Sequence, residues 1–101
     1  MQIIKEIIEE MEDEIDGAEH YADMALKYKD RDKILSDMYY NMSMQEFKHY
    51  DDLHNQIVRM IGDYRTKNGE PPKEMQAIYD WEHKKAIERA KKVKAAQSLY
   101  K

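Results

Sequence analysis

The chain has 101 residues, of which 42% are hydrophobic and 38% charged, with a net charge of −4. It has three glycines, two prolines and no cysteine, which excludes collagen-like and linker sequences, disulfides, thiolate zinc sites and iron–sulfur clusters. No apolar run approaches the roughly 18 residues of a membrane span, and the acidic N-terminus lacks the apolar core of a signal peptide. We therefore expect one cytoplasmic helical domain over residues 1–101 that binds neither membranes nor nucleic acid.

Apolar residues spaced three and four apart predict an all-α fold, an antiparallel bundle of three long helices. The helices are expected over about residues 3–28, 33–67 and 72–100. The segment Lys29–Asp32 has no apolar residue and predicts a tight turn in which an aspartate caps the second helix. Asn68-Gly69 suits a left-handed helix end, and Pro71-Pro72 suits a helix start.

Charge is distributed unevenly along the chain. Residues 1–27 contain two lysines and nine acidic residues, whereas residues 84–101 contain seven basic residues and one acidic residue. A basic terminal helix can bind phosphates, but it can equally lie beside an acidic helix. We favour the second interpretation, because the Lys84–Lys94 segment has no aromatic residues between its basic ones.

Ionisable residues interrupt the apolar lines of the first two helices. In steps of three and four, the first helix has Glu14 where an apolar residue should lie, and the second has Glu46 and His49. Residues three apart project from one face, so Glu46 and His49 form a Glu-x-x-His motif. A buried carboxylate is normally paired, protonated or bound to metal. Carboxylate oxygens and imidazole nitrogens are ligands that iron, manganese and zinc accept.

The hairpin brings these groups to one height. If the chain reverses at the Lys29–Asp32 turn, position 14 is mirrored by positions 46 to 48, so Glu14 should lie beside Glu46. The spacing therefore predicts a metal site made by Glu14, Glu46 and His49. The alternative is a hydrogen-bonded polar group that fixes helix register in a non-catalytic structural or adaptor protein.

These residues resemble the ferritin-like and rubrerythrin-like di-iron carboxylate family. The resemblance rests on Glu14 seven residues before Tyr21, followed one hairpin later by the Glu-x-x-His at 46–49. In that family, such a hairpin forms half of a di-metal site built from four helices. The resemblance implies two iron ions, with manganese or zinc as alternatives. It also implies oxidation of ferrous iron by dioxygen or peroxide, with Tyr21 acting catalytically beside the ligands as a hydrogen-bond or one-electron donor.

A full ferritin-like chain has two such hairpins, and this chain has one. Two chains could dimerise with their hairpins facing, so that each supplies Glu14, Glu46 and His49, similar to the half-size plan of encapsulated ferritins. Alternatively, the third helix packs on its own hairpin and His83 joins the site as a further metal ligand. We favour a homodimer or larger oligomer, because three helices leave a groove that a second copy would fill. His20 and His54 are expected to be exposed.

Overall fold

Residues 2–100 are described by a computed structural model, in which three α-helices run up, down and up. Helix α1 spans Gln2–Tyr28, α2 spans Lys33–Asn68 and α3 spans Lys73–Tyr100. The bundle is 55 Å long and 18 by 17 Å across. The all-α prediction is confirmed, while Met1 and Lys101, at the ends of the predicted domain, lie outside the described residues. None of the described helices has the length and apolarity needed to cross a membrane.

Both turns form where the sequence predicts them. The Asp32 side chain accepts a hydrogen bond from the backbone N–H of Leu35 at 3.0 Å and so caps α2. At the other end of α2, Gly69 has a φ of 78°, which glycine adopts without steric cost, and its N–H donates to the Arg65 carbonyl at 3.0 Å. These two caps fix the direction in which the chain leaves each helix.

The core shows one wrong prediction, on α2. The expected line of α2 runs through positions 35, 39, 42, 46 and 49 and then through Leu53, Ile57, Met60, Ile61 and Tyr64. Ile57 and Ile61 are buried as expected. The first part of the line, positions 35 to 49, is only half-buried or exposed, and Ser36, Ser43, Phe47 and Tyr50 are buried there instead. The reason is that α3 packs against the side of the hairpin that carries the serines, so α2 is rotated from its expected orientation. The first part of the predicted line then lies along the opposite edge of the α1–α2 interface, which no third helix covers.

A chain of buried hydrogen bonds joins the three helices at mid-height. The Ser43 hydroxyl donates to the Ala18 carbonyl of α1 at 2.7 Å, and the Gln97 amide of α3 donates to Ser43 at 2.9 Å. Ser43 is fully buried and Gln97 nearly so. Buried polar groups must find partners, so these hydrogen bonds are all made only when the three helices pack in one register.

The acidic first helix and the basic third helix lie side by side, as the charge pattern predicts. Arg89 forms ion pairs with Asp16 and Glu19 of α1, and Lys92 lies 3.5 Å from Glu19. The parallel packing of α1 and α3 therefore neutralises part of each helix. This arrangement supports the view that the basic segment serves the fold.

We predict that Ser43→Ala destabilises the protein by about 1–3 kcal/mol, since it removes two buried hydrogen bonds, to the Ala18 carbonyl and from the Gln97 amide, and leaves that amide without its Ser43 partner. Urea unfolding followed by circular dichroism measures the loss. Ser98→Ala on the exposed side of α3 is the matched control and should change stability little. Equal midpoints for the two variants would show that the polar chain does not hold the bundle.

Candidate metal centre

Glu14, Glu46 and His49 converge where α1 crosses α2. One ligand atom from each lies within 4.8 Å of the other two, the only such group of three among residues 2–100. Within it, Nδ1 of His49 is 3.3 Å from Oε2 of Glu14. Glu46 and His49 lie one turn apart on α2, and the hairpin places Glu14 opposite them. The predicted convergence is therefore confirmed.

Gly17 creates the space for the Glu46 side chain. A Cβ atom at Gly17 would lie 3.2 Å from Oε2 of Glu46 and 3.5 Å from its Cγ and Cδ. The first distance is shorter than most van der Waals contacts of a Cβ atom, and the other two are ordinary contacts. The carboxyl group therefore lies directly against the glycine backbone. Glycine at this position, one helical turn after Glu14, thus lets the Glu46 carboxyl reach across to α1.

The surroundings of Glu46 favour the protonated form of its carboxyl group. A hydrogen bond to Glu14 is the largest cause that raises the pKa of Glu46, followed by its partial burial and by the charge of Glu14. The positive charge available on His49 acts in the opposite direction. Two carboxylates held together by the fold repel one another, so the site favours a bound cation, whether a proton or a metal ion.

The site lies at the edge of the hairpin and not in its core. The Glu14 side chain is 28% exposed and that of His49 is 55% exposed, whereas the sequence pattern predicted core positions for both. The neighbouring residues Phe47 and Tyr50 take the core positions on α2. The ligand atoms consequently face solvent, and a metal ion can approach them without any opening of the bundle.

The donor set fits a divalent transition metal. Two carboxylates and one imidazole supply the oxygen and nitrogen ligands that iron, manganese and zinc bind. The 4.8 Å span lets all three donors bind one ion after small side-chain rotations, since metal–ligand bonds of about 2.0–2.2 Å place two ligands at most about 4.4 Å apart. Three protein ligands leave coordination positions for water, substrate or a second chain.

Tyr21 lies in an aromatic cluster beyond the ligands. Its ring centroid is 6.0 Å from that of Tyr39 and 5.5 Å from that of His20, and Tyr28 stacks on the other side of Tyr39. These contacts give Tyr21 a packing role between α1 and α2. Its action as a hydrogen-bond or electron donor stays a prediction.

The structure does not bring His83 to this group. Its Nδ1 is instead 3.2 Å from Nε2 of His54, on a different face of α2 from Glu46 and His49. The position follows from the packing of α3, which lies on the serine side of the hairpin and away from its open edge. His83 therefore does not complete the site within one chain, which was the alternative to a shared site between two chains.

His54 was expected to be exposed, and this expectation is wrong. It is half-buried, because it continues the buried line of α2 between Tyr50 and Ile57. That spacing was visible in the sequence, but the adjacent acidic residues Asp51 and Asp52 suggested a surface position.

Comparisons of the chain with protein-family models, with curated proteins and with solved structures find no match. The ferritin-like resemblance therefore stays a prediction from the motif, and the chemistry has to be argued from the geometry of the site.

We predict that Glu46→Gln stabilises the metal-free protein at neutral pH. A raised pKa means that the folded state binds the proton more tightly than the unfolded state, so this contribution is present at low pH and is lost as pH rises through the folded pKa. The amide removes the charge repulsion with Glu14. Thermal unfolding should show a higher midpoint than wild type at pH 7 and a difference that shrinks towards pH 4. The exposed Glu9→Gln is the control, and an equal, pH-independent shift in both variants would contradict the raised pKa of Glu46.

We predict that Gly17→Ala separates stability from metal binding. Replacing a mid-helix glycine by alanine gains up to about 1 kcal/mol of helix propensity, while the new methyl group displaces the flexible end of Glu46. Urea unfolding should show a more stable protein, and metal titration a weaker site. Gly62→Ala is the matched control, because a Cβ atom there meets nothing within 4 Å. It should gain similar stability and keep its metal affinity; equal affinities for the two variants would exclude the close approach of Glu46.

Proposed function

We propose that this protein binds divalent transition-metal ions through Glu14, Glu46 and His49, with iron as the physiological metal. The observation that carries the proposal is the convergence of these three donors from two helices within 4.8 Å. The competing structural hypothesis requires only that the polar groups pair, and it gives no reason for an imidazole and two carboxyls to meet at one point. The Gly17 gap that admits Glu46 is likewise easier to explain by a ligand requirement than by packing.

The residues of the site have distinct roles in binding. Oε2 of Glu14 lies 3.3 Å from Nδ1 of His49, and Glu14 raises the pKa of Glu46. A cation that enters the site competes with the proton that the raised pKa of Glu46 favours. His49 must be neutral to act as a ligand, and metal affinity should therefore fall as pH falls.

We further propose that two copies of the chain join at the open α1–α2 edge and assemble a di-metal centre. One chain offers three ligands, and two chains related by a two-fold axis would offer four glutamates and two histidines from four helices, which is the di-iron carboxylate plan. The open edge also carries half-buried apolar side chains on both sides of the ligands, including Tyr21, Tyr39, Met42 and Leu53. A second copy would cover them.

The reaction that fits such a centre is the oxidation of ferrous iron by dioxygen or peroxide. Iron bound there would supply electrons to the oxidant one at a time. The chain itself would contribute by holding the ions with the carboxylates of Glu14 and Glu46 and the imidazole of His49, while solvent would supply the protons that the reduced oxidant takes up. The nine acidic residues of the first 27 positions raise the local concentration of cations.

We predict that anaerobic addition of ferrous iron to the wild-type protein gives two bound ions per dimer. The ligand variants Glu46→Gln and His49→Asn should lose this iron, and the exposed variants Glu9→Gln and His20→Asn should keep it. Elemental analysis after desalting measures the metal, and light scattering during size exclusion measures the mass against 12.2 kDa for one chain.

Each readout tests a different step of the proposal. The site would be excluded if iron bound the ligand variants as well as it binds the wild type. It would also be excluded if iron did not bind the wild type. One ion per 12.2 kDa monomer would keep the site and exclude the shared centre. Oxygen consumption is measured only on protein that binds iron, and its absence would limit the function to metal binding.

A further inference from the structure

A second cluster of ionisable side chains lies in a cavity between all three helices, apart from the metal centre described above. The cavity is partly open to solvent. Its apolar walls are mainly isoleucine, methionine and tyrosine side chains, and six ionisable residues interrupt them: His54, His83, Glu12, Glu82, Lys85 and Arg89. Ionisable groups in an apolar cavity require a chemical reason, because their burial is unfavourable without a partner.

The two imidazoles are spaced for chelation. Nε2 of His54 and Nδ1 of His83 are 3.2 Å apart. Two zinc–nitrogen bonds of about 2.0–2.1 Å to atoms at this separation subtend an angle of about 100°, close to the tetrahedral value that zinc prefers. Without an ion, the same distance accommodates an N–H···N hydrogen bond. A metal ion can take the place of this hydrogen bond with small ring rotations, once the donating imidazole carries its proton on its other ring nitrogen.

Aromatic packing holds both rings in place. Tyr50 packs against His54 with ring centroids 6.5 Å apart, and Tyr79 packs against His83 at 5.6 Å. Each tyrosine lies one turn before its histidine on the same helix. A pair of ligands fixed before binding loses little side-chain entropy when the ion arrives, and this favours affinity.

Charged side chains of both signs surround the two imidazoles. Glu12 and Glu82 lie in the same cavity as His54 and His83, and Lys85 and Arg89 line it as well. Arg89 is paired with Asp16 and Glu19 of α1. Burial and the nearby His83 lower the pKa of His54, which favours the neutral imidazole.

We propose that His54 and His83 bind a divalent ion of the zinc class and thereby clamp α3 to α2. The two imidazoles would provide two of its ligands, and water in the open part of the cavity would complete its coordination. The site is independent of Glu14, Glu46 and His49, and it favours nitrogen-seeking ions such as zinc, nickel or copper, where the carboxylate-rich centre favours iron or manganese.

The clamp would act on the loosely packed half of α3. The buried residues of this helix are Val93, Gln97 and Tyr100, all near its C-terminal end. The stretch that carries His83 is half-buried or exposed, and it includes the exposed Ile78 and Trp81. An ion that binds only when α3 is docked stabilises that docked state by mass action.

The test uses zinc chloride and tag-free protein in a background that lacks the first site, Glu46→Gln with His49→Asn. We expect this background to bind one zinc ion per chain by calorimetry and to unfold at a higher temperature with zinc than without it. Addition of His83→Asn or of His54→Asn should weaken zinc binding by about tenfold or more. Addition of His20→Asn, at an exposed position, should leave it unchanged.

Long-range proton–nitrogen NMR spectra of the background protein identify the ligands directly, even if the histidine variants fold poorly. Zinc should shift the resonances of Nε2 of His54 and Nδ1 of His83 and leave those of His20 in place. Hydrogen exchange should slow in residues 73–90. The clamp would be excluded by absence of zinc binding in the background, by undiminished binding in His83→Asn, or by zinc-dependent association that His20→Asn abolishes. None of these outcomes bears on the iron site.

Discussion

The close approach of α1 and α2 around Gly17 and Ala18 is the constraint on which the rest of the structure depends. At Ala18 the backbone carbonyl accepts the Ser43 hydroxyl at 2.7 Å, and at Gly17 the missing side chain leaves room for Glu46. Small residues on both helices allow this contact, and larger ones would separate the helices. On the side of Ser43, the crossing therefore fixes the register of the bundle. On the opposite side, it brings Glu14, Glu46 and His49 together.

This crossing explains why the two sides of the α1–α2 interface differ in chemistry. The side that faces α3 is closed, and its polar atoms, Ser43 and Gln97, find partners within the chain. No third helix among residues 2–100 lies on the other side, where Glu14, Glu46 and His49 converge. Groups that need partners but receive few from the chain are available to an ion or to another chain, which is the physical basis of the proposed function.

The sequence predicts the helices, both turns and the convergence of Glu14, Glu46 and His49 well, because these depend on local spacing. Asp32, Gly69 and the apolar spacing define the elements, and mirror positions about a tight turn bring Glu14 to Glu46. The buried face of α2 could not be obtained in this way. It depends on which side of the hairpin α3 occupies, and a rule that counts only apolar residues overlooks Ser36 and Ser43, whose hydroxyls are buried with partners.

The side of the hairpin that α3 occupies also decides which histidines meet, and the sequence does not reveal that side. His83 is half-buried on α3, but its partner depends on the side of the hairpin that α3 covers, so it meets His54 and not His49. The covered side thereby acquires its own polar group, half-buried and bordered by tyrosines, whereas the open side keeps a group rich in carboxylates. The two sites differ in donor set and in exposure because one helix packs asymmetrically on a hairpin, and this difference predicts that they discriminate between metals. A soft or borderline ion gains most from the two imidazoles, and a harder ion gains most from the carboxylates.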